Sequence, residues 1–328
     1  MAINSKNFTP VSIIMPMRNA STTVLHALES IVKQKYPIRE IIIIDNASED
    51  NSLKIVSQYK KRTELTIKII ARAKNGGIGS SYNLGVKNAK SSLVVLMHSD
   101  CSLSTGKEIE KLTEPIRKDV TVLATFPTVD LPMHIWNTYS FWEKCFFSRI
   151  AGKGYAGPTT KLDCIKRDVY LQVGGFDRVN FGVGGEDMDL AKKIEIQGKF
   201  VLSKAHATHL HYLGDDFTFQ EFLRKRKQYA MIYGRLLRKR PQLFFGKSII
   251  FLIKPFLATL PFLPTINIVG IPIIFLYGFS ITQRMFLTKS NYSNWRIALL
   301  PFVNIFLIYY ETFWTIESFL FGKNKIAW

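Results

Sequence analysis

The amino-acid sequence predicts an α/β fold with a Rossmann-like, mostly parallel sheet and helices on both faces, followed by an α-helical membrane-associated tail. Up to about residue 240, apolar strands alternate with amphipathic helices, the order typical of a doubly wound parallel sheet. Beyond that residue the chain is crowded with Ile, Leu and Phe, which indicates association with a membrane.

Short apolar runs predict the strands, and apolar residues at helical spacing predict the helices. Strands are expected over residues 11–15, 41–44, 65–70, 93–97 and 120–125. Helices are expected over about 21–32, 53–59, 75–89 and 105–118. Ser21 or Thr22 could cap the first helix. Further along, residues 200–202 and 208–212 are expected to be extended.

Composition limits the function classes. The chain has 328 residues, a net charge of +19 and three cysteines without Cys-x-x-Cys spacing. This cysteine pattern favours a catalytic domain in the reducing environment of the cytosol, without a structural zinc site. Because the positive charge clusters beside the apolar tail, we expect anionic membrane lipid as a partner and no nucleic acid.

The stretch from Leu93 to Asp100 is the first place to expect a ligand. A strand of apolar residues ends there in His98-Ser99-Asp100, whose first and third side chains point to the same side in extended backbone. Ligand sites in open α/β sheets lie beyond the carboxyl ends of the strands. The histidine and the aspartate are both potential metal ligands.

Acidic residues open a later helix, which we expect to end at Gly198. Acidic residues in a first turn often only complement the helix dipole. Here Glu186, Asp187 and Asp189 follow a glycine-rich loop, 182–185, which could close over a substrate as a lid. Three carboxylates directly after such a loop favour a catalytic role.

Two other segments allow more than one interpretation. The aromatic stretch 127–151 is either a core-covering helix or a lipid- or acceptor-facing surface. Residues 249–281 are interrupted by prolines and form either a re-entrant hairpin or one broken span, whereas 297–321 is long enough to span. We therefore expect a catalytic domain over 1–215, a basic amphipathic interfacial helix over 216–246 and a membrane-associated helical region over 247–328.

The motifs, taken in order, resemble the family 2 glycosyltransferases, inverting enzymes of the glycosyltransferase-A fold that use nucleotide-diphosphate sugars. The resemblance covers roughly residues 11–214. It rests on the opening strand 11–19, the second-strand motif 43–50, the Asn-Gly-Gly…Asn-x-Gly segment 75–85, Gly-Gly-Phe-Asp at 174–177 and Glu-Asp-Met-Asp-Leu at 186–190. Any one of these would be weak by itself, but five in the right order make a strong case.

The resemblance implies roles for particular residues. Asp45 would contact the nucleotide base, and the other nucleotide-binding residues would be Pro16, Asn19, Asn75, Gly77, Asn83 and Ser99. Asp187 is the candidate general base that removes a proton from the acceptor hydroxyl, with Glu186 as the second choice.

The expected cofactor is a divalent cation, Mn²⁺ or Mg²⁺. Asp100 occupies the position that usually holds the metal, and His209 is the preferred histidine ligand, with His211 on the same face. His98 replaces the first carboxylate of the family's Asp-x-Asp pattern. It is either a substitute ligand or a neutral histidine that hydrogen-bonds in the site.

These residues predict an inverting, metal-dependent glycosyltransferase. It would move one sugar from a UDP- or GDP-sugar to a lipid-linked or membrane-embedded acceptor such as a polyprenyl phosphate or a lipid-borne glycan. Repeated elongation is disfavoured because the Gln-x-x-Arg-Trp motif of processive synthases is absent. An acceptor phosphate would already be anionic, and Asp187 would then orient it rather than act as a base. The alternative is a non-catalytic, membrane-anchored nucleotide-sugar-binding or scaffold protein.

The expected location is the plasma membrane or an equivalent membrane, with the catalytic domain on the cytoplasmic side. The sequence does not predict the oligomeric state.

Overall fold

The computed structural model describes residues 8–179, 181, 184–210, 217–241 and 253–322. The chain divides into two compact units. Unit 1 comprises Met1–Leu131, Lys153–Gly182 and Glu186–His211, and unit 2 comprises Pro132–Gly152, Val183–Gly185 and Tyr212–Trp328. Unit 2 includes residues 132–152, which lie inside the predicted catalytic domain 1–215, and the domain boundaries stay a prediction.

Unit 1 is built around one mixed sheet, and elements are numbered in chain order across both units. Its strands among the described residues are β1 (Val11–Met17), β2 (Ile38–Asp45), β3 (Ile67–Ala71), β4 (Leu93–Met97), β5 (Cys101–Leu103), β6 (Val122–Asp130), β7 (Gly154–Ala156), β8 (Leu162–Lys166) and β9 (Lys199–His209). Its helices are α1 (Val24–Val32), α2 (Ser52–Lys60), α3 (Ile78–Asn88), α4 (Glu108–Lys118), α7 (Arg167–Gln172) and α8 (Glu186–Gln197).

The strand order is β3-β2-β1-β4-β8-β6-β9-β5, with β7 paired to β6. The predicted α/β fold is confirmed, and the strands β1 to β4 are parallel. The strand β8 is inserted antiparallel between β4 and β6. Because β8 runs against β4, its first residue, Leu162, pairs with the last residue of β4, Met97. The turn before β8 therefore lies beside His98.

Both faces of the central strands are buried. Ile13 of β1 packs into the core formed with α1 and α4, whereas its neighbour Ile14 packs into the core formed with α3. A Cβ atom on Gly85 of α3 would lie 2.1 Å from Cγ2 of Ile14. Only glycine allows α3 to approach the sheet this closely.

Some local predictions differ from the structure. The strand β1 continues through Pro16 to Met17, because proline's ring is compatible with its extended backbone. The predicted cap of α1 is wrong, since the residue before the helix is Thr23 and its side chain makes no capping hydrogen bond. The two predicted extended segments around 200–212 form one strand, β9, within the described residues. Helix α8 ends immediately before Gly198, as predicted.

Unit 2 is helical in its described residues. Its helices are α5 (Met133–Thr138), α6 (Phe141–Phe147), α9 (Phe219–Lys239), α10 (Ile253–Thr259), α11 (Asn267–Ile281), α12 (Gln283–Leu287) and α13 (Leu300–Phe321). Aromatic residues of α5 and α6 form part of its core: Trp136 is fully buried, and the ring of Trp142 lies 4.6 Å from that of Phe219. The core interpretation holds for Trp136, whereas Trp142 is half-buried.

The basic side chains of α9 do not all face outward. Arg226 Nη2 lies 2.5 Å from Glu311 Oε1 of α13, and Lys227 Nζ lies 3.3 Å from the ring centroid of Trp314 on the same helix. Arg235 is also buried. Some of the basic residues that predicted a lipid-facing helix thus pack against α13. The predicted interfacial segment 216–246 extends beyond the described residues at both ends.

The glycine loop before α8 packs against α9 within unit 2. Gly184 and Gly185 have φ angles of +84° and +82°, and a Cβ on Gly184 would lie 2.2 Å from Cδ1 of Ile232. Backbone conformation and close packing explain these two glycines. Gly182 lies outside the described residues, and closure of the loop stays a prediction.

One helical segment in the described part of the chain, Trp295–Phe321, is long and apolar enough to cross a membrane. Helix α11 has 15 residues. At roughly 1.5 Å per residue it falls short of the roughly 30 Å hydrocarbon core of a bilayer. Large apolar side chains are nevertheless exposed across this region, including Phe262, Ile268, Leu276 and Phe302. Exposed apolar surface of this extent is typical of an interaction with another apolar phase.

Candidate functional site

Three potential metal ligands meet at the carboxyl end of β4. His98 and Asp100 follow that strand, and His209 is the last residue of β9. The pairing of β5 with β9 sets Cys101 opposite His209, and Leu210 N donates a 2.8 Å hydrogen bond to the Asp100 carbonyl oxygen. This pairing brings together residues that are far apart in the chain.

The ligand atoms of His98, Asp100 and His209 all lie within 4.8 Å of one another. His209 Nε2 is 2.9 Å from Asp100 Oδ2, and His98 Nδ1 is 3.7 Å from Asp100 Oδ1. Burial lowers the pKa of His98 to about 3 against the opposing effect of the Asp100 carboxylate. It also lowers the pKa of His209. Both imidazoles are therefore neutral near pH 7 and can offer a nitrogen lone pair.

This donor set fits a divalent cation. Two neutral imidazole nitrogens and one carboxylate suit Mn²⁺ and related metals better than an all-oxygen site would. His211, the other predicted histidine ligand, lies outside the described residues.

The loops after β1 and β2 are tied together beside Asp45. Asn19 N donates to Ser48 Oγ (3.1 Å), and Ser48 Oγ donates to Asp45 Oδ1 (2.5 Å). Asn19 and Ala47 have positive φ angles of 49° and 61°. Asp45 is buried, and no residue in the described ranges hydrogen-bonds its Oδ2. Pro16 lies in β1 one residue before the partner of Asp45, Met17.

A second set of contacts orders the loop before α3. Asn46 Nδ2 donates to Asn75 Oδ1 (2.5 Å), which also accepts from Gly77 N (2.9 Å). Gly76 N donates to Asn46 Oδ1 (2.9 Å). Gly77 has a φ of +80°, a conformation that favours glycine. The loops carrying Asp45 and Gly77 thus form one connected edge of the sheet.

Asn83 has a structural task that the sequence did not reveal. Its Oδ1 accepts from Phe176 N (2.9 Å) and from the Tyr170 hydroxyl (2.6 Å), and its Nδ2 donates to the Phe176 carbonyl oxygen (3.0 Å). The side chain therefore holds the Gly174–Phe176 turn against α3. These bonds give the amide a structural role, and a direct contact with the nucleotide stays a prediction. Ser99 is buried between the two candidate ligands His98 and Asp100.

The candidate base lies in the first turn of α8. Asp187 Oδ1 accepts a 2.8 Å hydrogen bond from Met188 N. Burial raises the pKa of Asp187, and the ammonium group of Lys161 opposes that shift. Glu186 and Asp189 share the same turn; Asp189 is fully buried, and its Oδ2 is 3.4 Å from Lys193 Nζ. This contact favours a structural role for Asp189.

Sequence reasoning missed three residues in and beside the turn before β8: Thr160, Lys161 and Asp163. Burial raises the pKa of Asp163 to about 8, and the Asp187 carboxylate adds to the shift. The ammonium group of Lys161 also acts on His98 and His209, where it adds to the lowering of the pKa by burial. The turn therefore links the candidate metal ligands to the candidate base. The one available signal was an aspartate inside the apolar strand 162–166.

Comparisons with known proteins bear on the family and the fold. The sequence model described as Glycosyl transferase family 2 matches residues 12–165. A poly(ribitol-phosphate) beta-glucosyltransferase of Bacillus spizizenii is 36% identical over 92 residues, 27% of this chain and 14% of the relative. An uncharacterized glycosyltransferase of Bacillus subtilis, EpsJ, is 33% identical over 104 residues, 32% of this chain and 29% of the relative.

A solved structure of similar fold is the mannosyltransferase from Pyrobaculum calidifontis in complex with GDP-Man and Mn²⁺. It matches with a TM-score of 0.58 and 19% identity, over 98% of this chain and 88% of that chain. The fold is therefore that of the glycosyltransferase-A enzymes. The match over residues 12–165 covers just under half of the chain, and it supports the predicted resemblance to family 2 of the glycosyltransferases. The aligned segments span less than a third of the length of the two curated relatives.

Proposed function

We propose that this protein is an inverting, divalent-cation-dependent glycosyltransferase that transfers one sugar from a nucleotide-diphosphate sugar to a lipid-linked acceptor. The observation that carries the proposal is the convergence of His98, Asp100 and His209 at the carboxyl end of β4. In open α/β sheets this edge is where ligands bind.

Asp100 and His209 would hold the cation, with His98 Nδ1 as a third ligand. When bound there, the cation would neutralise the charge that develops on the departing diphosphate. The mannosyltransferase of similar fold binds GDP-Man and Mn²⁺, which supports both the donor class and the metal.

The nucleotide would lie along the edge formed by the loops after β1, β2 and β3. Asp45 Oδ2 would accept an N–H of the base, since its Oδ1 is already used by Ser48. Pro16, Asn19, Asn75 and Gly77 would line the same edge. The backbone N–H groups at the start of α3 would favour a phosphate group.

Asp187 would take the proton of an acceptor hydroxyl as that oxygen attacks the anomeric carbon opposite the diphosphate, which inverts the configuration. Burial keeps the pKa of Asp187 above its usual value and so makes it a better proton acceptor. Glu186 is the second candidate. If the acceptor is a phosphate, Asp187 would orient it and no proton transfer is needed.

The apolar surface of unit 2 supports a lipid-linked acceptor and a membrane location. The segment Trp295–Phe321 is long enough to span, and only 28% of its apolar window is buried. A core helix of a water-soluble protein would be mostly buried. Anionic lipid remains the proposed membrane partner, with the catalytic unit on the cytoplasmic side.

The deciding experiment measures nucleoside diphosphate release from a panel of UDP- and GDP-sugars with membrane lipid and Mn²⁺ or Mg²⁺. The proposal expects release with one donor, and loss of release on adding EDTA. Binding of a nucleotide sugar without any release across the panel would instead support the non-catalytic scaffold.

A further inference from the structure

We propose that Thr160 is a positioning residue that fixes the tautomer of His98, so that Nδ1 of the imidazole is the nitrogen presented to a divalent cation. This inference rests on the metal site of the proposed function. It gives a role to a residue outside the ligand set, and it favours the interpretation of His98 as a substitute metal ligand.

The hydrogen bonds of the Thr160 hydroxyl carry the argument. Thr160 Oγ1 lies 2.6 Å from the Thr159 carbonyl oxygen and 3.1 Å from His98 Nε2. A carbonyl oxygen can only accept, so the single hydroxyl proton points to Thr159. The hydroxyl must then accept from His98, and Nε2 is the nitrogen that carries the hydrogen.

A neutral imidazole has one N–H group, so the lone pair of His98 lies on Nδ1. That atom faces Asp100, with Oδ1 at 3.7 Å, a separation too long for a hydrogen bond. Two electron-pair donors facing each other at this distance favour a cation between them. Metal-binding histidines commonly donate their second N–H to an oxygen that fixes ring orientation, and Thr160 Oγ1 would supply that oxygen.

The backbone at Thr160 is itself unusual. Its φ is +59°, a left-handed conformation that is rarely adopted by β-branched residues. Two side chains hold it there: the Tyr82 hydroxyl donates to the Thr160 carbonyl oxygen (2.9 Å), and Asp163 Oδ2 accepts from Thr160 N (2.9 Å). Strained residues held by their surroundings cluster at functional sites. Here the conformation places the hydroxyl within 3.1 Å of His98 Nε2.

The test compares Thr160→Val, which removes the hydroxyl at nearly constant size, with Thr160→Ser, which keeps it. Full-length protein labelled with ¹⁵N-histidine is studied without metal by NMR, which distinguishes Nε2–H from Nδ1–H. Mn²⁺ affinity is measured by electron paramagnetic resonance. We expect the Nε2–H tautomer in the wild type and in Thr160→Ser, and loss of this preference in Thr160→Val with Mn²⁺ binding about 10–100-fold weaker.

Thr160→Gly is the second variant, since glycine accepts the positive φ and also lacks the hydroxyl; it should behave like Thr160→Val. An Nδ1–H tautomer in the wild type would overturn the inference. So would Mn²⁺ binding by the glycine variant as tight as that of Thr160→Ser. If the wild type showed the expected tautomer but bound no Mn²⁺, the metal site of the proposed function would fail, and the inference about metal presentation with it.

Discussion

His209 Nε2 lies 2.9 Å from Asp100 Oδ2, at the point where β9 ends and the chain leaves β4. A similar pair lies on the same strand, where His206 Nδ1 is 2.9 Å from Asp130 Oδ2. The two pairs differ in their surroundings. His209 is buried and has His98 nearby, whereas the His206 side chain is 47% exposed. This contrast provides a control for the metal site.

Asp100→Ala should weaken Mn²⁺ binding by more than about 100-fold, because it removes a direct ligand rather than an outer partner. The matched control, His206→Ala, breaks a pair of the same length on β9 and should leave the affinity within about two-fold, in line with small effects at exposed pairs. Isothermal titration calorimetry measures both. Equal losses in the two variants would contradict a metal site at Asp100.

His98→Asp should shift metal preference from Mn²⁺ toward Mg²⁺. The substitution replaces an imidazole nitrogen by a carboxylate oxygen, the ligand type that Mg²⁺ prefers. The measurement is the ratio of Mn²⁺ to Mg²⁺ dissociation constants in the variant and the wild type. An unchanged ratio with intact metal binding would show that His98 is not a ligand.

Asp187→Asn should lower kcat by about 10²–10⁴-fold with a hydroxyl acceptor, as expected when a general base is lost. Nucleotide affinity should be unchanged. Asp168→Asn is the matched control, since Asp168 also lies in the first turn of a helix and also accepts from the next backbone N–H (2.9 Å), but is exposed. With a phosphate acceptor, the Asp187 variant should instead raise KM for the acceptor. Similar rates for both variants on every acceptor would contradict any role for Asp187.

Asp163→Asn should remove a pH dependence of stability measured without metal. Burial raises the pKa of Asp163 from 3.8 to about 8, so between these values the folded state keeps a proton that the unfolded state has released. Stability then falls as pH rises through this window. The Tm of the wild type should therefore drop relative to that of the variant between pH 5 and 8, at about 2–4 °C for each kcal/mol lost.

Asp119→Asn is the control for this pH series. A hydrogen bond from the Thr121 hydroxyl is the main cause that lowers the pKa of Asp119 to about 2, so its carboxylate stays ionised across the window. The control should follow the wild-type curve. A parallel course of the wild-type and Asp163→Asn curves from pH 5 to 8 would show that Asp163 is ionised in the folded protein.

Glu311→Gln should destabilise unit 2 by about 3–5 kcal/mol, because it leaves buried cations without their carboxylate. Arg226 and Lys254 both form ion pairs with Glu311. Glu317→Gln is the control, since Glu317 lies on the same helix and has no ion-pair partner among the residues that the structure describes. Thermal unfolding in detergent measures the difference. Equal stability of the two variants would rule out a stabilising role for these ion pairs.

The sequence predicted the elements that depend on the pattern of neighbouring residues. Strands β1 to β4 and helix α8 follow from apolar spacing and turn residues, and the position of Asp100 follows from the end of β4. The insertion of β8 between β4 and β6 was not predictable, because antiparallel pairing between distant segments leaves no local pattern. The strained turn at Thr160 was missed for the same reason.

Side-chain partners explain the remaining differences. Asn83 matched a nucleotide-binding motif, and the structure adds hydrogen bonds of its amide with Phe176 and Tyr170, which are distant in sequence. The basic run on α9 indicated a lipid-facing surface, but Arg226 turns toward Glu311. A sequence shows which side chains carry charge, whereas the fold determines which of them are neutralised internally.

The central claim is a divalent cation held by Asp100, His209 and His98 beside a bound nucleotide. Anomalous diffraction at the manganese edge, from crystals grown with Mn²⁺ and either UDP or GDP, tests it most directly. The account predicts one manganese peak bonded to Asp100, His209 and Nδ1 of His98, with the nucleotide base next to Asp45. A bound nucleotide with no manganese peak at these three residues would contradict it.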